Sequence, residues 1–222
     1  MIELREVSKS FGKKEKIKVL DQVSVCLEQG RTIGIMGPSG SGKTTLARIA
    51  LMLESADTGG VYLQGKKVDR RDRKQMKQFR RTVQYISQHP ESFFDPNWTL
   101  EKSIMEAAAL SSHRKEGEKK LEALLELVKL NYAVLTRFPH QVSGGEIQRA
   151  ALCRALILEP KVLILDESTS MLDVSVQAQI LHVLKEIQER QSLAYLFISH
   201  DKPAVFWFSD EVKELRNGKL HG

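Results

Sequence analysis

TIGIMGPSGSGKTTLARIALML, residues 32–53, is the stretch whose reading decides the fold. It opens with a short apolar run, TIGIM, turns through a glycine-rich octet, GPSGSGKT (37–44), and continues in a helical pattern, TTLARIALML. The octet satisfies G-x-x-x-x-G-K-[S/T], in the strand-then-helix context that gives the pattern its meaning. Gly37, Gly40 and Gly42, with Pro38, Ser39 and Ser41 between them, let the backbone curl so that its N–H groups converge on phosphate oxygens. The helix that follows adds its positive N-terminal end. Lys43 can reach the β- and γ-phosphates, and the Thr44 hydroxyl, with Thr45 beside it, can ligate Mg²⁺. A glycine-rich turn matching by chance would not bring strand, helix, lysine and threonine together. The stretch reads as a binder of a nucleoside triphosphate.

The second half of such a site lies at 162–167, VLILDE. Four apolar residues make a buried strand, and two carboxylates emerge at its C-terminal end, where open α/β sheets bind ligands. Asp166 can hold Mg²⁺ directly or through water. Glu167 is left to orient and deprotonate an attacking water, a role typically worth about 10²–10⁴ in rate. An acidic helix cap would also explain an isolated Asp-Glu, but not one following this strand.

Around these two stretches the chain alternates. The opening third is β-rich, at IELREV, VSVCLE and TIGIM, then at VYLQG after a turn-like DTGG, and at TVQYIS (82–87). From about 91 to 158 the pattern turns helical, with TLEKSIMEAAAL and EKKLEALLELVKL separated by a polar SSHRKEGE read as a loop. A helix with Val176, Ile180, Val183, Leu184 and Ile187 on one face follows the acid pair. AYLFIS is a second buried strand, and EVKEL–RNG–KL closes as a hairpin. Strands alternating with helices predict an α/β core with a parallel sheet, and a helical lobe inserted between two of its strands.

With 222 residues and 41% hydrophobic content, the chain fits one globular domain. No apolar run approaches the roughly 20 residues needed to span a bilayer, and the charged start, MIELREVSKSFG, is unlike a signal peptide. A soluble, cytoplasmic protein is expected. The formal charge of +6 is concentrated in RRDRKQMKQFRR (70–81). Without an aromatic stacking pattern, this reads as a solvated helical face rather than a nucleic-acid surface, with anionic lipid or a partner protein as lesser alternatives. Cys26 and Cys153 have no partners at metal-ligand spacing and are expected to be packed, reduced thiols. Apart from His200, no chemistry is assigned to the histidines.

One element remains, VSGGE at 142–146, a second serine-glycine helix start about a hundred residues beyond the first. With it the chain resembles an ATP-binding-cassette (ABC) ATPase over nearly its full length. VSGGE resembles the signature motif, SMLD (170–173) the D-loop, Gln88 in ISQHP the Q-loop glutamine, and His200 in ISHD the switch histidine. Phe11 in SKSFG stands where an aromatic ring stacks on adenine. The resemblance implies a P-loop NTPase (RecA-like) core, an N-terminal antiparallel β-subdomain and an inserted α-helical signature subdomain. The core would comprise residues 1–90 and 159–222 and the helical subdomain 91–158. It also implies two such domains facing head to tail, each covering the other's ATP. Ser143, Gly144, Gly145, Glu146 and Asp173 would then serve the partner's nucleotide. Mg²⁺ would be held by Thr44, Gln88 and Asp166, with Glu167 and His200 as the catalytic pair. Glu146 and Val142 depart from the usual glutamine and leucine of the signature, Phe11 lacks a tyrosine hydroxyl, and Ser168 replaces a frequent proline. None of these removes the Ser-Gly-Gly or acid chemistry.

Within the family, QHPESFFDPNWTL (88–100), SMLDVSVQAQIL (170–181) and PHQVSGGEIQR (139–149) resemble peptide and nickel importers. That implies separate transmembrane permease subunits, a second ATPase (the same chain or a different one), and an indirect link to an extracellular substrate-binding protein, with the chain peripheral on the inner membrane face. The sequence stops soon after RNGKL, where many peptide-importer ATPases continue, which leaves room for nickel or another metal chelate. Phe93, Phe94 and Trp98 are candidates to line the groove that receives the permease, or else to pack within the helical lobe. The alternatives are a soluble, non-transport cassette in a larger enzyme or nucleic-acid complex, and a nucleotide-gated binding module without turnover.

Overall fold

The computed structural model describes residues 1–12, 15–110, 114–168 and 173–222. Among these, the strands form two sheets. The first is antiparallel, in the order β2-β1-β4-β5, from β1 (Ile2–Phe11), β2 (Ile17–Leu27), β4 (Thr58–Leu63) and β5 (Lys66–Lys67). The second runs β10-β9-β3-β8-β7-β6, from β3 (Thr32–Met36), β6 (Val83–Ile86), β7 (Val162–Asp166), β8 (Ala194–Ile198), β9 (Glu211–Arg216) and β10 (Lys219–His221). Its strands pair in parallel except for the terminal β9–β10 hairpin. The fold is the expected mixed α/β one.

The parallel sheet is buried on both faces, as its continuous apolar strands require. On one face, Val162, Ile164, Leu196 and Ile198 join a core with the antiparallel sheet and helix α1 (Lys43–Ala50). On the other, Leu163, Leu165, Tyr195 and Phe197 join a second core. Helices α3 (Leu100–Ala108), α4 (Arg114–Val128), α5 (Gly144–Leu156), α6 (Val174–Gln191) and α7 (Lys202–Phe208) all contribute to it. Two of the buried polar groups there are paired: the Tyr195 hydroxyl donates to Leu184 O (2.8 Å) and Gln188 Nε2 to Thr32 Oγ1 (2.9 Å). Gly34 on β3 lets α7 lie close, since a Cβ there would stand 2.3 Å from Ser209 Oγ.

Helix α2 (Arg73–Thr82) carries most of the basic stretch. Asp72 caps it, accepting from the Lys74 and Gln75 amides, and only Met76 and Phe79 are buried. The remaining side chains form a charged face.

The structure departs from the sequence reading in four places. Helix α1 stops at Ala50 rather than running through Leu53. Met52 turns left-handed (φ 57°), and the Met52 and Leu53 amides donate to Ile49 O and Arg48 O, the bond pair of a helix-ending Schellman turn. The DTGG segment is mostly strand, because Thr58, Gly59 and Gly60 begin β4. Residues 114–118 of the expected SSHRKEGE loop belong to α4, where Lys120 bridges Glu116 (3.0 Å) and Glu159 (3.1 Å). The start of that loop, 111–113, lies outside the described residues. Finally, Cys26 is exposed, not packed: Val23, Val25 and Leu27 turn inward on β2, so Cys26 faces out. Cys153 is buried, and burial pushes its thiol up to about 12.

Candidate functional site

The octet after β3 bends through backbone that only glycine enters easily. Gly40 and Gly42 have φ of 76° and 105°. A Cβ on Gly42 would stand 2.9 Å from Val19 Cγ1, and one on Gly37 would meet Leu215 O at 2.4 Å. Lys43 folds back over the loop, its Nζ donating to Gly37 O (2.8 Å) and Pro38 O (3.0 Å). Helix α1 starts at once from the left-handed Gly42, with no side chain capping its first amides. Those amides are the donors that a phosphate would take.

The loop forms the floor of a cleft of about 520 Å³. Ser39, Gly40, Gly42, Lys43, Thr44 and Thr45 line it, together with Gln88, Glu167, His200, Phe11 and Val19. Gln88 follows β6, Glu167 follows β7 and His200 follows β8, so three neighbouring parallel strands each deliver one residue from their C-terminal ends. Phe11 ends β1 with its ring largely exposed, and the antiparallel sheet also supplies Val19. Pro38 and Gly37 line the adjoining surface with His200 and Lys202. The Ser41 hydroxyl is turned inward, buried and without a partner among the described residues.

The two acids differ. Glu167 lies in left-handed backbone (φ 51°), an unfavourable conformation for a non-glycine residue, and its amide is tied to Ile198 O at 2.9 Å. Its Oε2 lies 2.6 Å from His200 Nδ1. A carboxylate only accepts, so Nδ1 carries the proton and Nε2 remains for another partner. Asp166 is buried. Its Oδ2 accepts from the Tyr85 hydroxyl at 3.3 Å, while Oδ1 is buried without a hydrogen-bond partner among the described residues. Burial raises the Asp166 pKa, with the neighbouring Glu167 charge adding to this. The Tyr85 hydrogen bond and the Lys43 and Arg48 charges oppose it. Burial, then the charge on Asp166, holds the Tyr85 hydroxyl far above its ordinary pKa, so it stays a donor.

A bare buried carboxylate oxygen is what a hard cation takes, and Thr44 and Gln88 add neutral oxygens in the cleft. The donor set fits Mg²⁺ carried in with a nucleotide. Histidine, cysteine and acid side chains alone make no metal-binding cluster among the described residues.

Ser143, Gly144, Gly145, Glu146 and Asp173 do not line this cleft. Ser143 caps α5, and its capping box closes on itself. The Ser143 amide and hydroxyl both donate to Glu146 Oε2 at 2.8 Å, and the Glu146 amide donates to Ser143 Oγ at 3.3 Å. These bonds hold the Glu146 carboxyl below its usual range. Gly145 lies against the start of α6, where a Cβ would be 3.0 Å from Val176 Cγ1. Residues 170–172 of the SMLD segment lie outside the described residues, and Asp173 begins α6 without a side-chain capping bond.

Of the three aromatic groove candidates, Phe93 lines a groove between α2, β6 and α5, beside Arg80 and Arg154. Phe94 is packed into the core, and Trp98 is covered by Lys102, whose Nζ lies 3.9 Å from the ring centroid. Sequence reading did not single out Val19, Tyr85 or Gln177. Val19 could have been found as the strand residue facing a phosphate-loop glycine. Tyr85 is three residues before Gln88 on the strand beside β7. Gln177 donates to Asp201, the cap of α7 just after His200 (3.0 Å), and no local pattern announces that contact.

Residues 20–170 match the ABC transporter family. The chain is 37% identical to the oligopeptide transport ATP-binding protein OppF of Streptococcus mutans, over 99% of this chain and 73% of the relative. It is 38% identical to the nickel import ATP-binding protein NikE of Shigella boydii, over 94% of this chain and 79% of the relative. Among solved structures it is similar to the dimeric structure of a bacterial ABC transporter cassette, at TM-score 0.89 and 27% identity over 100% of this chain and 97% of that one. The post-hydrolysis state of the same cassette, bound to ADP and Pi, gives TM-score 0.88 at 26% identity, again over 100% of this chain and 97% of that one. With the phosphate loop, the acid pair and the family match in agreement, the chain belongs to the ABC transporter family, as an ATP-hydrolysing ATP-binding cassette.

Proposed function

We propose that this cassette energises an importer of peptides, or of nickel or another metal chelate. It does so as one of two ATPases closing head to tail beneath a separate transmembrane permease. The observation that carries the reading is a division of labour. The phosphate loop, Gln88, Glu167 and His200 share one cleft, while the signature serine and glycines lie outside it. A second cassette can bring its own 143–146 segment over this ATP, and this chain's segment would cover the partner's. The helical lobe, 91–158, carries that segment and offers the groove beside Phe93 to the permease. The cargo class rests on the printed roles of the relatives, oligopeptide transport and nickel import. No helix among the described residues is long and apolar enough to cross a membrane. The cassette would work at the inner membrane face, and an extracellular substrate-binding protein would act on it only indirectly.

In this reading Phe11 stacks on adenine, and the loop amides and Lys43 hold the phosphates, Lys43 exchanging two loop carbonyls for anionic oxygens. Asp166 Oδ1, Thr44 and Gln88 would hold Mg²⁺. Bound there with ATP, Mg²⁺ would supply positive charge to offset that of the phosphates. Glu167 takes the proton of the attacking water. His200 steadies that carboxylate through Nδ1 and presents Nε2 to the γ-phosphate. Closure adds the partner's Ser143 and α5 amides and excludes water.

The test is uptake in cells. Deleting the gene should abolish uptake of labelled peptides or of nickel, and wild type should restore it where Glu167→Gln does not. Unchanged uptake of peptides, nickel and chelated metals would contradict the assignment.

A further inference from the structure

Tyr85 belongs to no motif, yet it touches the most buried acid of the site. It lies on β6, three residues before Gln88, and pairs in parallel register opposite Ile164 on β7. Strand alternation places Ile164 and Asp166 on one face of β7. Along that face the Tyr85 hydroxyl reaches Asp166 Oδ2 at 3.3 Å. The other oxygen, Oδ1, is buried with no hydrogen-bond partner among the described residues. A carboxylate held by one oxygen and bare on the other is the arrangement by which an outer partner aims a metal ligand. The tyrosine ring is itself fixed, meeting Phe93 edge to face with centroids 5.9 Å apart. It also forms part of the groove that holds Arg80 and Arg154. A single side chain therefore extends from that groove to the buried acid.

We propose that Tyr85 is a positioning residue for the metal of the ATP site: its hydroxyl fixes Asp166 so that Oδ1 faces the cation carried by the nucleotide. Tyr85 contacts neither nucleotide nor metal and acts only through Asp166. The inference rests on the ATP-site reading of the cleft.

Tyr85→Phe keeps the ring and its contact with Phe93 and removes only the hydroxyl. Mn²⁺ bound to the protein–ATP complex, read by electron paramagnetic resonance, should weaken about tenfold. ATP affinity measured in EDTA should stay within about twofold of wild type, because no metal is then involved. Tyr85→Met, which removes ring and hydroxyl together, should weaken Mn²⁺ at least as far. Mn²⁺ affinity in Tyr85→Phe within about twofold of wild type would overturn the assignment while leaving the ATP site intact. Failure of the wild-type complex to bind Mn²⁺ at all would overturn both the site and the tyrosine's part in it.

Discussion

Two helices of this molecule begin at glycine-rich segments, and their first turns are finished in opposite ways. Helix α1 starts from left-handed Gly42, has no side-chain cap and opens into a cleft lined by Lys43, Gln88, Glu167 and His200 among others. Helix α5 starts from Ser143, and Glu146 already supplies an anion to the Ser143 amide and hydroxyl. The α1 end is open to a phosphate, because no side chain among the described residues caps it. At the α5 end the Ser143 amide and hydroxyl are already satisfied by Glu146. In the proposed pairing, the first end meets this chain's own ATP and the second meets that of a second cassette.

The largest expected effect falls on the α1 side. Glu167→Gln should lower turnover by about 10²–10⁴, with ATP binding retained, as steady-state hydrolysis and nucleotide titration would report. Turnover near wild type would remove Glu167 as the base. Next comes Gly42→Ala, which forces a Cβ against Val19 in backbone at φ 105°. Strain of about 1–3 kcal/mol should appear as weaker ATP binding and a lower thermal midpoint. On the α5 side, Ser143→Ala removes the cap and should cost about 1 kcal/mol in denaturant unfolding. The cap also predicts a pH trend. The Glu146 pKa is lowered on folding, so its contribution is full above the ordinary glutamate value and fades as pH falls through the lowered one. The difference in stability between wild type and Ser143→Ala should therefore shrink in acid. The smallest effect is Glu146→Gln. Removing an anion from the α5 N-terminus should ease approach of a partner's phosphate by about 0.3–1 kcal/mol, roughly two- to fivefold in the ATP concentration that half-saturates turnover. A shift in the opposite direction would mean that the carboxylate assists closure.

The two regions also differ in how far they could be read from sequence. The phosphate loop, both buried strands and the acid pair are legible because short-range rules fix them: apolar continuity, glycine spacing and charges placed at a strand end. The Glu167–His200 contact joins residues 33 apart and was approachable only because each follows its own parallel strand. Misreadings arose where tertiary contacts outweigh local pattern. Met52 ends α1 in a conformation usually left to glycine. Gly117 sits inside α4, next to a lysine bridge that reaches across to Glu159. Gly59 continues β4 because the backbone of Arg5 and Glu6 crowds it, a Cβ being only 2.3 Å from Arg5 O. Phe94 packs inward while its neighbour Phe93 faces the groove, a choice between two readings that the sequence had left open. Tyr85 was invisible because its partner is on another strand, 81 residues away.

The central claim is that Ser143 serves another chain's ATP. The most direct measurement is turnover per chain across a range of chain concentrations, for wild type and for Ser143→Arg, with ATP binding measured in parallel. The account predicts that turnover per wild-type chain rises with concentration. It also predicts that Ser143→Arg abolishes most of this turnover, by roughly 10²-fold, while ATP still binds its own cleft. Turnover independent of concentration, with Ser143→Arg as active as wild type, would contradict the account.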